Sequence, residues 1–235
     1  MAKRQTDRVQ TYIPGFDKLI QGGILRNSVN LISGGPGTGK SIFCMQFLYN
    51  GIKYAKEKGL YISFEESIED LKTDAQTFGW NFDKLEKENK VKFIYLYPYE
   101  ITNFQSKLIS EITRLNAERI VIDSTSAFGM ALEGDYEVRK ELYALSAQLK
   151  KLNCTTFITS EIVGEVSIDH PSAGGMSRFG VEEFIADSVM TMHYTGGADD
   201  RAIRIVKMRR TNHQKGPLLL KITPQGIKII AKGSL

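Results

Sequence analysis

Eight consecutive residues, Gly34-Gly35-Pro36-Gly37-Thr38-Gly39-Lys40-Ser41, constrain this chain more than any other stretch. They satisfy the pattern G-x-x-x-x-G-K-[ST], following a β-branched run and opening a helical one. The glycines let the backbone curl so that its N–H groups point inward at phosphate oxygens. The helix start adds a favourable dipole. In that geometry Lys40 reaches the β- and γ-phosphates and the Ser41 hydroxyl binds Mg²⁺. The loop predicts a nucleoside triphosphate site, for ATP/ADP with Mg²⁺.

The remainder of the chain fits around such a unit. Short β-branched runs alternate with longer amphipathic stretches, the pattern of a parallel sheet with crossover helices. Val29 to Ile32 predicts the strand before the loop. Between Lys40 and Lys58, Phe43, Phe47, Leu48 and Ile52 recur at helical spacing, with Gly59 as the stop. Further strands are expected at Leu60 to Phe64, Val91 to Leu96, Arg119 to Ile122 and Thr155 to Thr159. Helices are expected after Ser67, which can cap ahead of Asp70, from Phe104 to Leu115, and from about Tyr136 to Leu152. Glu161 to Gly180 is rich in glycine with little periodicity and reads as a long mobile loop. Strands alone follow, at Ser188 to Tyr194, Arg201 to Met208, Leu218 to Ile222 and Ile227 to Ile230, with turns at Gly196-Gly197 and Gly226. The expectation is an α/β fold of five α/β units. It has a mostly parallel central sheet and a C-terminal antiparallel extension, in a single domain over residues 1–235.

Three acids stand where such a site needs them. Asp123 closes the apolar run Ile120-Val121-Ile122, and the C-terminal end of a parallel strand faces the crevice where these sheets bind ligands. There it would hold Mg²⁺ through water. A strand-terminal Asp is by itself usually a turn residue, and the phosphate loop is what raises its standing. Glu65-Glu66 follow the strand that comes directly after the loop's helix, a strand expected to lie close to the loop strand. One of the two would orient water for in-line attack. Which one stays open, because adjacent side chains point in different directions and Glu66 can instead support the next helix N-terminus.

Composition narrows the class. Hydrophobic residues make up 42% and charged residues 25% of 235, as in soluble globular proteins. The net charge of +4 is too mild to argue for a dedicated nucleic-acid binder. No apolar run approaches the roughly 18 residues of a membrane span. The polar start from Met1 to Asp7 lacks the apolar core of a secretory signal, so a cytoplasmic location is expected. Cys44 and Cys154 lie in apolar stretches and read as buried free thiols. The three histidines have no zinc-type spacing.

Ile13-Pro14-Gly15-Phe16-Asp17-Lys18-Leu19-Ile20-Gln21-Gly22-Gly23-Ile24 resembles the segment ahead of the phosphate loop in RecA-type ATPases, which include RadA and KaiC. Phe64-Glu65-Glu66-Ser67, Arg178-Phe179-Gly180-Val181-Glu182-Glu183-Phe184 and Lys207-Met208-Arg209-Arg210-Thr211-Asn212-His213 resemble the KaiC family more narrowly. The resemblance runs from Thr11 to about Ile230 and matches one of the two tandem KaiC domains, so the chain resembles a stand-alone KaiC-like protein. It implies a homo-oligomeric ring, usually a hexamer, with each ATP between neighbouring subunits. Lys207, Arg209 and His213 would then serve the neighbour's nucleotide, the two cations acting on its γ-phosphate as an arginine finger does. Lys207 and Arg209, two apart on a strand, should share a face with Ile203 and Ile205. Without the resemblance they would read as a solvated strand end. Where the self-phosphorylating half of KaiC carries adjacent Ser and Thr, this chain has Glu183-Phe184, so the resemblance is to the half that only hydrolyses ATP.

The leading reading is an ATP-hydrolysing ring whose nucleotide state controls assembly or the binding of protein partners not named by the sequence. A RadA- or RecA-like DNA-binding ATPase is the alternative. The loop from Glu161 to Gly180 argues against it: Arg178 is its only Arg or Lys, against Glu161, Glu165 and Asp169, where a phosphate-tracking segment needs positive charge. His170 adds little, while Lys3, Arg4 and Arg8 keep the alternative open. A nucleotide sensor with weak hydrolysis is the third reading.

Overall fold

The computed structural model describes residues 7–97, 99, 104–162, 175–196 and 201–231. Most of the loop expected between Glu161 and Gly180 lies outside them, as do Lys3, Arg4, Glu165, Asp169 and His170.

Arg8–Val9 (β1) and Ile24–Leu25 (β2) form a two-stranded antiparallel ribbon. The main sheet starts with Val29–Gly34 (β3), which leads through the phosphate loop into Lys40–Asn50 (α1). Then come Gly59–Ser63 (β4), Ile68–Thr77 (α2), Phe82–Lys87 (α3), Val91–Tyr95 (β5), Phe104–Leu115 (α4) and Arg119–Asp123 (β6). Gly134–Lys151 (α5), Thr155–Ser160 (β7) and the short Glu182–Ile185 (α6) lead to Ser188–Tyr194 (β8). Arg201–Met208 (β9), Pro217–Thr223 (β10) and Gly226–Ile230 (β11) complete a nine-stranded sheet in the order β11-β10-β9-β8-β3-β7-β6-β4-β5.

The α/β class, the mostly parallel sheet and the antiparallel extension are as expected, with two corrections to strand placement. β8, expected to begin the extension, pairs in parallel with β3, so antiparallel pairing starts only at β9. β4, expected close to β3, is separated from it by β7 and β6. The crossover through α1 skips two positions, and later strands fill the gap. Hydrophobic periodicity encodes which faces are buried, not which strands become neighbours.

The sheet is covered on both sides. Phe43 and Phe47 of α1 pack edge-on against Phe157 of β7, with ring centroids 5.5 and 4.8 Å apart. On the other face Leu108, Ile112 and Leu115 of α4 join Leu142, Leu145 and Leu149 of α5 over Ile120 and Ile122. Cys44 and Cys154 are buried free thiols on opposite faces.

Ser67 caps α2 as expected, its hydroxyl accepting from the Asp70 N–H. The helix expected from Lys40 to Lys58 ends earlier. α1 stops at Asn50, a wider π turn covers Gly51–Ala55, and Gly59 is the first residue of β4. The buried guanidinium of Arg119 lies against this turn: it donates to the Phe47 carbonyl at 3.0 Å, which also accepts the Gly51 N–H. A Cβ on Gly51 would lie 2.3 Å from the Arg119 side chain, so only glycine fits there.

Candidate functional site

β3 delivers Gly34 to the C-terminal edge of the sheet, and the chain then turns back on itself. Gly37 and Gly39 have φ of +70° and +102°, conformations that side chains with a Cβ avoid. The Thr38 hydroxyl donates to the Gly35 carbonyl at 2.8 Å, fixing the curl. Lys40 Nζ donates to the carbonyls of Gly34 and Gly35, both at 2.9 Å, which holds the ammonium over the loop. Pro36 lines the mouth. The loop thus curls tightly, with the Lys40 cation held against it.

Asp123 ends β6 beside it. Its buried carboxylate accepts hydrogen bonds from the Tyr61 hydroxyl of β4 and the Thr159 hydroxyl of β7. Burial, then Asp123, pushes the Tyr61 phenol well above its ordinary range, so Tyr61 stays a donor. Burial, then Asp123, raises the Cys44 thiol in the same way, keeping it an inert neutral neighbour. Glu65 accepts from the Ser124 hydroxyl at 2.5 Å. Ser63 both accepts from the Glu66 N–H and donates to the Glu66 carbonyl, tying down the turn that carries the two acids.

These pieces meet. A cavity of about 220 Å³ is lined by Lys40, Ser41, Glu65, Glu66, Asp123 and Glu161, among others. A second, of about 210 Å³, continues past Gly39 to Asp74. Glu66 is raised above the ordinary carboxylate range by partial desolvation first, then by Asp123 and Asp74. A larger hollow of about 600 Å³ lies across α2 at Lys72 and Gln76 and contains no motif residue. Despite the two intervening strands, Glu65 and Glu66 reach the loop because β4, β6, β7 and β3 are all parallel and end at one edge.

Lys207 and Arg209 are not in this cavity. Lys207 pairs with Val189 near the start of β8, and the Arg209 N–H donates to the Asp187 carbonyl, which puts both at the opposite edge of the sheet. They stand together, but not on the expected face. The register slips between Val189 and Met190, and this bulge shifts the alternation. Ile203, Ile205 and Met208 pack on the α1 side, while Lys207 Nζ turns to the other side and donates to the carbonyls of Glu183 and Ala186 at 2.9 and 2.7 Å. Burial, then Arg209, pushes the Lys207 pKa down. His213 is buried just beyond, with Nδ1 2.9 Å from the Gln214 carbonyl and Nε2 3.2 Å from Lys215 Nζ.

Several residues at the site escaped the sequence reading. Tyr61 and Thr159 look like core positions of their strands, and only alternation on the α1 face could have grouped them with Asp123. Glu161 lines the cavity, although it reads as a loop acid. Tyr194 Oη and Arg201 Nε both donate to the Gly37 carbonyl, at 2.8 and 3.2 Å, across more than 150 residues of sequence. Arg8, counted with the N-terminal basic residues that keep a DNA-binding reading open, is engaged within the chain. It donates to the carbonyls of Ile20, Gly23 and Arg210.

The family model for the KaiC ATPase matches residues 9–234. Two curated relatives are circadian clock oscillator proteins KaiC. That of Parathermosynechococcus lividus is 36% identical over 99% of this chain and 44% of its own length. That of Nostoc sp. is 35% identical over 97% of this chain and 45% of its own. The chain thus spans less than half the length of the curated relatives it matches. Among solved structures, a KaiC-like protein of the hyperthermophilic archaeon Pyrococcus horikoshii superposes with a TM-score of 0.86 at 34% identity. The match covers 97% of this chain and 100% of that one.

Proposed function

This chain belongs to the KaiC ATPase family, and from that membership and its site we propose that it hydrolyses ATP in a Mg²⁺-dependent reaction within a ring. Nucleotide lies between subunits, and its state acts as a switch for assembly or partner binding. The observation that carries the reading is the separation of two half-sites. Lys40, Ser41, Glu65, Glu66 and Asp123 share one cavity, while Lys207 and Arg209 stand at the far edge of the same sheet.

The cavity fits both groups it is asked to hold. Backbone N–H groups of residues 34–41 and the α1 N-terminus suit a triphosphate, with the Lys40 ammonium on the β- and γ-phosphates. An oxygen-only donor set, the Ser41 hydroxyl and the Asp123 carboxylate through water, suits Mg²⁺. Bound there, that ion would neutralise phosphate charge. Tyr61 and Thr159 keep the Asp123 carboxylate aimed. Glu65 or Glu66 accepts a hydrogen bond from the attacking water and orients it in line with the γ-phosphorus. Lys207 and Arg209 of the adjacent subunit meet the charge that develops as the bond to the leaving group breaks. No step passes the phosphoryl group to the chain, and Glu183-Phe184 offer no hydroxyl for autophosphorylation.

The test is steady-state ATP turnover of the purified protein at moderate salt, with and without single-stranded DNA and with Lys40→Ala as control. The reading expects slow turnover, indifferent to DNA and lost in the variant. A several-fold rise with DNA favours the RadA/RecA-like alternative, for which Arg8, held within the fold, gives no support. Tight ATP binding with no turnover favours the sensor.

A further inference from the structure

Asp187 joins the two half-sites within one chain. It is buried, 5% exposed, in the link between α6 and β8, and nothing in the sequence distinguishes it from a turn acid. Its backbone N–H donates to the Val29 carbonyl at 2.7 Å, and its own carbonyl accepts the Arg209 N–H at 2.9 Å. Its carboxylate is divided in the same way. Oδ2 accepts from the Val29 N–H at 3.1 Å and from Lys150 Nζ at 2.9 Å. Oδ1 accepts from Arg209 Nη1 at 3.3 Å. Val29 is the first residue of β3, the strand that ends in Gly34 of the phosphate loop.

We propose that Asp187 is a positioning residue for the trans-acting cation, fixing the Arg209 guanidinium at the subunit edge from an anchor on the strand that carries the phosphate loop. The proposal rests on the reading of Arg209 as a group that serves the neighbouring nucleotide.

The geometry suits that task. An arginine on a strand end has several side-chain torsions to fix, and ordering such a side chain costs conformational entropy. A carboxylate held by a backbone N–H and a lysine cannot swing, so it offers the guanidinium one fixed acceptor. Only Nη1 is engaged: among the described residues Nε and Nη2 of Arg209 make no hydrogen bond, and the side chain is 49% exposed. One edge of the planar fork is anchored inward and the other is presented outward, where a phosphate would take it. Lys150 offsets the buried negative charge, so the carboxylate does not depend on Arg209 for neutralisation. That lets Arg209 be shared with a ligand at little cost to the fold.

The test compares Asp187→Asn, Arg209→Ala and the double variant, each checked for native circular dichroism and ring assembly. Asparagine keeps an acceptor for the Val29 N–H while removing the charge. If it does not fold, Asp187→Ser keeps a hydroxyl acceptor and replaces it. Positioning predicts that kcat falls about tenfold or more while the KM for ATP stays within about threefold. It also predicts that the double variant is no slower than Arg209→Ala alone, and that Asp187→Glu recovers part of the loss. A merely structural role would multiply the two losses and show in stability rather than kcat. If Arg209→Ala turns over normally, the trans site fails and the positioning role with it. If Arg209→Ala is slow but Asp187→Asn matches the wild type, or the losses multiply, the positioning role alone is overturned.

Discussion

Lys40 and Arg209 of one chain stand at opposite ends of β3: Lys40 follows its last residue through the phosphate loop, and Arg209 is bonded through Asp187 to its first. Six strand residues put roughly 17 Å between those ends, beyond the reach of one γ-phosphate. If both act on ATP, they do so from different subunits. Arg209→Ala, and separately a Glu65→Ala, Glu66→Ala chain, should each lose at least about a hundredfold in turnover. Mixed and allowed to exchange, they should recover activity, because about a quarter of the interfaces in a head-to-tail ring then pair an intact loop half with an intact cation half. Absence of recovery, with subunit exchange confirmed by mass spectrometry, would count against trans catalysis.

Tyr61 carries the second prediction. Among the described residues its hydroxyl is one of two side-chain donors on the buried Asp123 carboxylate. Tyr61→Phe removes that donor without changing the ring that stacks on Phe93 at 5.1 Å. Leaving a buried carboxylate one donor short costs about 1–3 kcal/mol, readable as a lower urea midpoint with an unchanged slope. The same change should raise the Mg²⁺ concentration for half-maximal turnover several-fold, because the acceptor that holds the ion's water is no longer aimed. An unchanged Mg²⁺ dependence would separate Tyr61 from the metal site.

How far the sequence could be read follows from what each signal encodes. That the phosphate loop, Asp123 and the Glu65-Glu66 turn meet in one cavity was legible because each is marked by a local pattern of neighbours at the end of a strand. Ser67 as a cap was legible for the same reason. The places where the reading failed are non-local. β4 lies two strands from β3 because of how crossovers fill the sheet. The end of α1 is built around Arg119, dozens of residues away, which lies against Gly51 and bonds the Phe47 carbonyl. Lys207 changes face because β9 carries one extra residue opposite β8, and nothing in the alternation of Ile203, Ile205 and Lys207 announces it. Asp187 and Tyr194 gain their roles only when strands distant in sequence come together.

Glu66 sets the pH dependence. Partial desolvation first, then Asp123 and Asp74, raise its pKa above the ordinary carboxylate range. A raised carboxylate is penalised in the fold when ionised, so the penalty is present above its folded pKa and vanishes below the unfolded value. Glu66→Gln should therefore raise the unfolding temperature slightly at pH 7 and leave it unchanged at pH 4. A raised pKa suits Glu66 to accepting a proton, while Glu65 is engaged by Ser124. On that ground Glu66→Gln should cost at least about a hundredfold in kcat and Glu65→Gln less, and the acidic limb of kcat/KM in the parent should lie above the ordinary carboxylate range. The reverse order of the two variants would assign the water to Glu65.

Gly37 tests whether the loop's shape, rather than its charge, holds the triphosphate. Its φ is +70°, and an added Cβ would lie 2.6 Å from Tyr194 Oη, which itself donates to the Gly37 carbonyl. Gly37→Ala therefore meets two obstacles, a left-handed backbone costing about 1–2 kcal/mol and a collision with the tyrosine. ATP affinity, measured with a fluorescent nucleotide, should fall at least about tenfold, since 1.4 kcal/mol is a factor of ten. Shortening the tyrosine separates the two costs: Gly37→Ala with Tyr194→Ala should recover only the part owed to the collision. Tyr194→Ala alone should weaken binding by less, because the Arg201 N–H still reaches the same carbonyl at 3.2 Å. Full recovery in the double variant would mean that the left-handed turn is dispensable and that Tyr194 alone limits what residue 37 can be.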